Sequence, residues 1–201
     1  VDHARLLHPT DLGQRVTLAT AAEGGWRQWI VPAGRLEDAV SPLEGSTDLF
    51  ISLQGFRGRR RLANLLVLGS CAVDCDAYKT TLWAGRGLDD VAHAALMTVD
   101  EAALPSPSFI LGTGRGILVT WLIEPIPAAA QPRWQAVQRQ LAAALDPLGA
   151  DRAALDAARV FRLAGTRNSR AAGDDRVRLL WPRQVQQIVR WPFDDLAANV
   201  L

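Results

Sequence analysis

Asp74 and Asp76 stand two residues apart in the stretch CAVDCDAYKT, residues 71–80. On a strand, successive side chains alternate faces, so both carboxylates project from one face, roughly 7 Å apart at Cα. Cys71, Val73 and Cys75 then point the other way, as a set fit for a core. Two like charges so placed repel unless a cation neutralises them. Hard oxygen ligands of this kind suit Mg2+ or Mn2+. A strand end meeting solvent is the competing reading. The chain's only tyrosine, Tyr78, and its only lysine, Lys79, follow directly. A single mobile ammonium beside paired carboxylates can meet a phosphate as a point charge.

Two further constellations carry anion-binding chemistry. In PSFILGTGRGILVTW, residues 107–121, two apolar runs flank a glycine turn that presents Arg115. Glycines let backbone approach a ligand closely, and arginine matches phosphate. An ordinary hairpin turn is the alternative. The run opens no helix, so it is neither a Rossmann nor a Walker fingerprint. In LDAARVFRLAGTRNSR, residues 155–170, Arg162, Arg167 and Arg170 cluster with Thr166 and Asn168 around Gly165, and Asp156 precedes them. A solvated basic loop competes there with a phosphate or nucleic-acid contact. GFRGRRR, residues 55–61, adds Arg57, Arg59, Arg60 and Arg61.

The elements that must position these groups follow from pattern. ATAAEGGWRQWIVPAG reads as a hairpin or loop pair. TDLFISLQGF, residues 47–56, reads as a strand. GRRRLANLLVLG reads as a short helix, which would put Arg60 and Arg61 at an end that disfavours cations. SCAVDCDAY is a strand, and DDVAHAALM is a helix with an acidic first turn. SFIL and GILVTWLI are strands around the glycine turn. QPRWQAVQRQLAAALDPLG is the clearest helix, with Trp134, Val137, Leu141, Leu145 and Leu148 at spacings of three and four and Gly149 at its end. A second helical stretch is expected at 153–158, then an extended ARVFRLAGTRN and a strand at RVRLLW. The last 18 residues read as a helix broken at Pro192. Mixed helices and hairpins favour an α/β or α+β sheet with packed helices.

Composition sets the remaining bounds. At 201 residues, 49% of them hydrophobic, the chain is expected to form one domain with a sizeable core. No apolar run is long enough to span a membrane, and the opening VDHARLLHPTDLG has no signal-peptide pattern. The net charge of +1 does not announce a nucleic-acid partner, although charge can segregate locally. Cys71 and Cys75 on one strand are poorly placed to bridge, so reduced thiols and a cytoplasmic location are expected. Two cysteines and three scattered histidines are too few soft ligands for a zinc site.

Taken in order, FISLQGFRGRRRLANLLVLGSCAVDCDAYK, GTGRGILVTWLIEPIP, PRWQAVQRQL and LGADRAALDAARVFRLAGTRNSR resemble the catalytic domain of archaeo-eukaryotic-type primases. More narrowly, they resemble the RepB-type replication primases of plasmids and mobile elements. The likeness covers about residues 48–182, the motif-bearing core, and leaves 183–201 as a helical appendage. It implies an α+β fold: an α/β lobe abutting an RRM-like antiparallel sheet that carries the carboxylates. It implies a DNA primase, or primase-polymerase, acting by a two-metal-ion mechanism with Mg2+ or Mn2+. The metal ligands it assigns are Asp74, Asp76 and Asp156. It places Arg162, Thr166, Asn168 and Arg170 at the nucleotide, where Lys79 and Arg115 add positive charge. A single-stranded DNA template would cross Arg57, Arg59 and Arg60, with Trp83 and Trp121 as candidates for stacking. NTP or dNTP is the second substrate, and a replicative helicase or origin-binding domain is a possible partner.

One departure from the family pattern matters. Many members carry a histidine on the strand after the glycine turn, and here that position is Leu118. Triphosphate binding is then expected to fall in part to Arg115. His3, His8 and His93 lie outside every motif. Three other functions fit parts of the pattern: a non-catalytic binding module with a primase fold, a metal-dependent nuclease, and a DxD glycosyltransferase. The last leaves the RLAGTRN turn without a role.

Overall fold

Eleven consecutive residues, Leu65–Cys75 (β5), form the central strand of the fold. A computed structural model describes residues 3–22, 25–173 and 175–201. Nearly every side chain of β5 is buried, on both faces. That explains a correction. The leucines at 62–68 read as one face of a helix, but the structure has a single 3-10 turn at Leu62–Asn64 and then strand. A strand buried on both sides shows no alternation, and a short apolar run of that kind cannot be told from a helix by periodicity. Arg60 and Arg61 therefore open no helix.

The other strands are β1 (Arg15–Ala22), β2 (Gly25–Pro32), β3 (Leu49–Ser52), β4 (Gly55–Phe56), β6 (Phe109–Gly112), β7 (Ile117–Pro127), β8 (Val160–Arg162) and β9 (Arg178–Trp181). They join β5 in one sheet of order β8-β3-β1-β4-β5-β7-β6-β9, with β2 on β1. All pairings between these strands are antiparallel. The hairpin expected near residue 20 is β1–β2, and its turn residues 23 and 24 lie outside the described residues. The strands expected at 108–123 and 176–181 are present; the one expected over 47–56 is split into β3 and β4, and the one expected over 70–78 ends at Cys75, where a 3-10 turn, Ala77–Lys79, follows. The helices are α1 (His3–Leu7), α2 (Leu36–Val40), α3 (Leu88–Glu101), α4 (Gln131–Ala144) and α5 (Phe193–Val200). The helix expected at 153–158 is only a 3-10 turn, Arg152–Ala154.

The alternation of β5 divides two cores. Cys71, Val73 and Cys75 enter a cluster with α3, α4 and α5, through residues such as Ala95, Trp134, Leu141 and Leu196. Ala72 enters the cluster on the opposite face, with Leu118, Leu18, Ile51 and Leu7. Both cysteines are free, and burial raises their thiol pKa, so they are inert packing groups. Of the helix expected over the last 18 residues, the part before Pro192 is only a 3-10 turn, Val185–Gln187; Pro192 caps α5, which packs into the first cluster. His3 and His8 are also buried. Burial lowers their pKa to about 3 and about 4, and they are neutral at neutral pH. Among the described residues, no helix is long and apolar enough to cross a membrane.

Candidate active site

Asp74 is the penultimate residue of β5, on the face of Ala72, and Asp76 lies just past the strand end. Two backbone hydrogen bonds hold that end in place. Asp76 N–H donates to Gly149 O at 2.9 Å, and Asp151 N–H donates to Asp74 O at 2.7 Å. Gly149 is required there: its φ is +81°, and a Cβ would come within 2.9 Å of Asp76 O. On the other side β7 begins at the glycine turn. A Cβ on Gly116 would lie 2.2 Å from Cys75 O, so only glycine lets the turn reach β5. These glycines serve backbone-to-backbone contact.

A cavity of about 270 Å³ opens on the carboxylates. Asp74, Asp76 and Asp151 line it together with Arg115, Arg159, Arg162 and Arg170, and Phe50, Tyr78, Thr113 and Asn168 complete the wall. Burial, then Asp76 and Asp151, push the Asp74 carboxyl up to about 7. Leu118 contributes to that burial. It pairs with Asp74 across β5 and β7, fully enclosed in the second core. Lys79 stands beside Asp76, its ammonium 2.5 Å from Oδ2, and that hydrogen bond raises the lysine pKa. The Arg115 guanidinium lies 3.9 Å from the centre of the Tyr78 ring, a cation–π contact that orients it.

The basic turn is built from within. Asn168 is buried and donates to Thr113 O at 2.7 Å, tying the RLAGTRN turn to the glycine turn. Arg162 stacks 4.7 Å from the Phe50 ring centre and pairs with buried Asp48. Burial alone would push Asp48 up, but hydrogen bonds from Ser169 and Arg162 outweigh it and hold the carboxylate below its ordinary value.

Several expected residues lie elsewhere. Thr166 is buried, donates to Leu163 O at 2.6 Å, and faces a separate cavity beside His3 and Glu44. Asp156 is off the lining of the Asp74–Asp76 cavity; it borders a narrow crevice with Gln54 and Trp134. Its carboxylate accepts from Ala158 N–H and, at 2.5 Å, from Arg159 Nε. Arg57 and Arg59 are exposed and absent from the lining, whereas Arg60 reaches Ala158 O and, at 3.1 Å, Gln28 Oε1. Trp121 is fully buried, with its indole N–H on Pro105 O at 2.7 Å, so it offers no face for stacking. Trp83 is partly buried against the first core.

Asp151, Arg159 and Phe50 are the residues that sequence reasoning missed. For Asp151 a signal existed: it follows the glycine that ends the clearest helix, and such a turn is tied to a neighbouring strand. Asp151→Asn keeps the oxygen that accepts Ala153 N–H at 2.9 Å, so its effect reports charge and not folding. If the third charge of the site is Asp151, then Asp151→Asn lowers metal-dependent activity about tenfold or more, and Asp156→Ala leaves it within about twofold. Activity assays on the two variants check this, and the reverse ranking would restore Asp156.

No protein-family model matches the chain. A curated relative, "Replication protein" of Clostridium perfringens, is 33% identical over 157 residues, which are 78% of this chain and 37% of that protein. The chain therefore spans little more than a third of that relative. The archaeo-eukaryotic primase domain of the cyanophage S-2L primase-polymerase superposes with a TM-score of 0.62 at 19% identity, covering 98% of this chain and 94% of that one. Primase RepB′ superposes at 0.60 with 15% identity, over 98% of this chain and 60% of that one. The RepB′ catalytic domain in complex with initiator DNA superposes at 0.56 with 14% identity, over 100% and 94%. Mixed helices on an antiparallel sheet, with the paired aspartates at the end of its central strand, thus form the catalytic-domain fold of the archaeo-eukaryotic primases.

Proposed function

We propose that the chain is the catalytic domain of a replication primase, or primase-polymerase, of a plasmid or mobile element. It would join NTP or dNTP on a single-stranded DNA template. The observation that carries this reading is a single cavity lined by both three aspartates and four arginines. The relative and the solved primases support it.

The residues fit a divalent cation. Asp74 is held near 7 by its own burial and by two neighbouring carboxylates, a charge excess that a cation relieves. Among the described residues, no three His, Cys, Asp or Glu side chains are gathered closely enough to hold a metal alone. Mg2+ needs no such group, since it binds through one or two carboxylates and completes its shell with water and substrate phosphate. Asp74 and Asp76 would hold it, with Asp151 nearby. Bound there, Mg2+ or Mn2+ supplies Lewis-acid polarisation of the phosphoryl group and an activated 3′ hydroxyl.

The chain's own groups do the rest. Arg115 and Arg170 bind the triphosphate oxygens and stabilise charge as it moves to pyrophosphate. Tyr78 keeps Arg115 on the cavity wall. Lys79 offsets Asp76 until substrate arrives. Asn168 fixes the basic turn against the glycine turn. A helicase or origin-binding partner is the expected companion of such a domain.

The test is incubation with single-stranded DNA, labelled NTPs or dNTPs, and Mg2+ or Mn2+. Extended products support the reading, and a shortened template without extension marks a nuclease instead. Arg115→Ala should weaken nucleotide binding roughly ten- to a hundredfold, the worth of one charge-assisted phosphate contact. A nucleotide titration that leaves affinity unchanged removes Arg115 from the site.

A further inference from the structure

Outer strand β2 exposes large apolar side chains: Trp26 is 49% exposed and Ile30 41%. Side chains paired across antiparallel strands share a face. Gln28 pairs with Ala19 on β1, Ala19 with Phe50 on β3, and Phe50 with Arg162 on β8. Phe50 and Arg162 line the cavity of Asp74 and Asp76. Phe50 therefore joins the wall of that cavity to the face of β1 and β2 that carries Ala19 and Gln28. Trp26, two residues from Gln28, lies on it, and its ring centre is 5.2 Å from that of Phe50. Cations border both ends of this shelf: Arg162 over Phe50, and Arg60 hydrogen-bonded to Gln28.

An exposed indole backed by a second ring and bordered by guanidinium groups matches what a single-stranded nucleic acid needs. Bases stack on the aromatic face while the cations follow the phosphates. We propose that Trp26, backed by Phe50, is the stacking platform for a base of the single strand that leads into the reaction cavity. This rests on the primase reading. Trp29, three residues along β2, pairs with Leu18 and belongs to the other face.

The test is fluorescence anisotropy with a labelled oligothymidylate of about 16 residues, without nucleotide or metal. Trp26→Ala should bind it roughly five- to 150-fold more weakly, corresponding to about 1–3 kcal/mol per stacked base. Trp26→Phe should recover most of the affinity. Trp29→Ala should bind as the unaltered chain does. On an abasic oligomer of equal length, Trp26→Ala and the unaltered chain should not differ. The loss should persist at raised salt, because stacking releases no counterions. Equal binding by Trp26→Ala, an equal loss on the abasic strand, or an equal loss in Trp29→Ala overturns the proposal. So does a Trp26→Ala protein that keeps oligonucleotide affinity but shows a lower mass in light scattering, which would make this face a contact between copies. Failure of the primase reading is seen separately, as absence of synthesis by the unaltered chain.

Discussion

Asp74→Asn should abolish nucleotide transfer and yet make the metal-free protein more stable. The two effects have one cause. Burial and the neighbouring Asp76 and Asp151 raise the Asp74 carboxyl from 3.8 to about 7. Between those values the folded protein keeps a proton that the unfolded chain has released. Stability therefore falls as pH rises through that window and stays at the lower level above about 7. Asparagine carries no charge, so the variant escapes the penalty. At pH 8 the gain is on the order of 1–4 kcal/mol, or roughly 2–16 °C in melting temperature. It should vanish below about pH 4. Activity should fall by about a hundredfold or more, since the carboxylate is needed where charge moves. Mn2+ should raise the melting temperature of the unaltered protein and leave that of the variant unchanged. Melting curves at pH 4 and pH 8, with and without Mn2+, check all three statements. A variant that is less stable at pH 8, or that remains active, would remove Asp74 from the site.

Arg162→Ala should lower the melting temperature by roughly 6–20 °C. The resemblance assigns this arginine to the nucleotide, but the structure also gives it a structural partner. Its guanidinium pairs with buried Asp48 and stacks on Phe50. Removing one member of a buried pair leaves an uncompensated charge, at a cost of about 3–5 kcal/mol. The range in temperature follows from about 2–4 °C per kcal/mol for a chain of this size. Asp48→Asn in the Arg162→Ala background should recover part of the loss, because it removes the stranded charge. Asparagine also tolerates the backbone there, where φ is +53°. Thermal melts of the single and double variants measure the coupling, and nucleotide titration on the same proteins separates the two roles. Unchanged melting with a ten- to hundredfold loss of nucleotide affinity would mean that the turn serves the nucleotide alone.

Local rules sufficed for what depends on the nearest neighbours in the chain. The period-two alternation of β5 was enough to separate Cys71, Val73 and Cys75 from Asp74, and the structure puts those two sets on opposite faces. The spacing of α4 and the glycine turn before β7 were equally plain. The order of motifs pointed to the primase fold. Tertiary structure alone decided the rest. Whether Leu65–Leu68 is helix or strand depends on burial from both sides, which no local pattern encodes. Which aspartate approaches Asp74 depends on backbone hydrogen bonds between segments far apart in the chain, Asp76 N–H to Gly149 O and Asp151 N–H to Asp74 O. Asp156, only five residues later, is turned aside by Arg159. The pairing of Arg162 with Asp48, and the shelf from Phe50 to Trp26, arise because β1, β2, β3 and β8 meet across the sheet. Such contacts depend on register between distant strands. Side-chain type shows what each residue could bind, and only the closed sheet determines which of them meet.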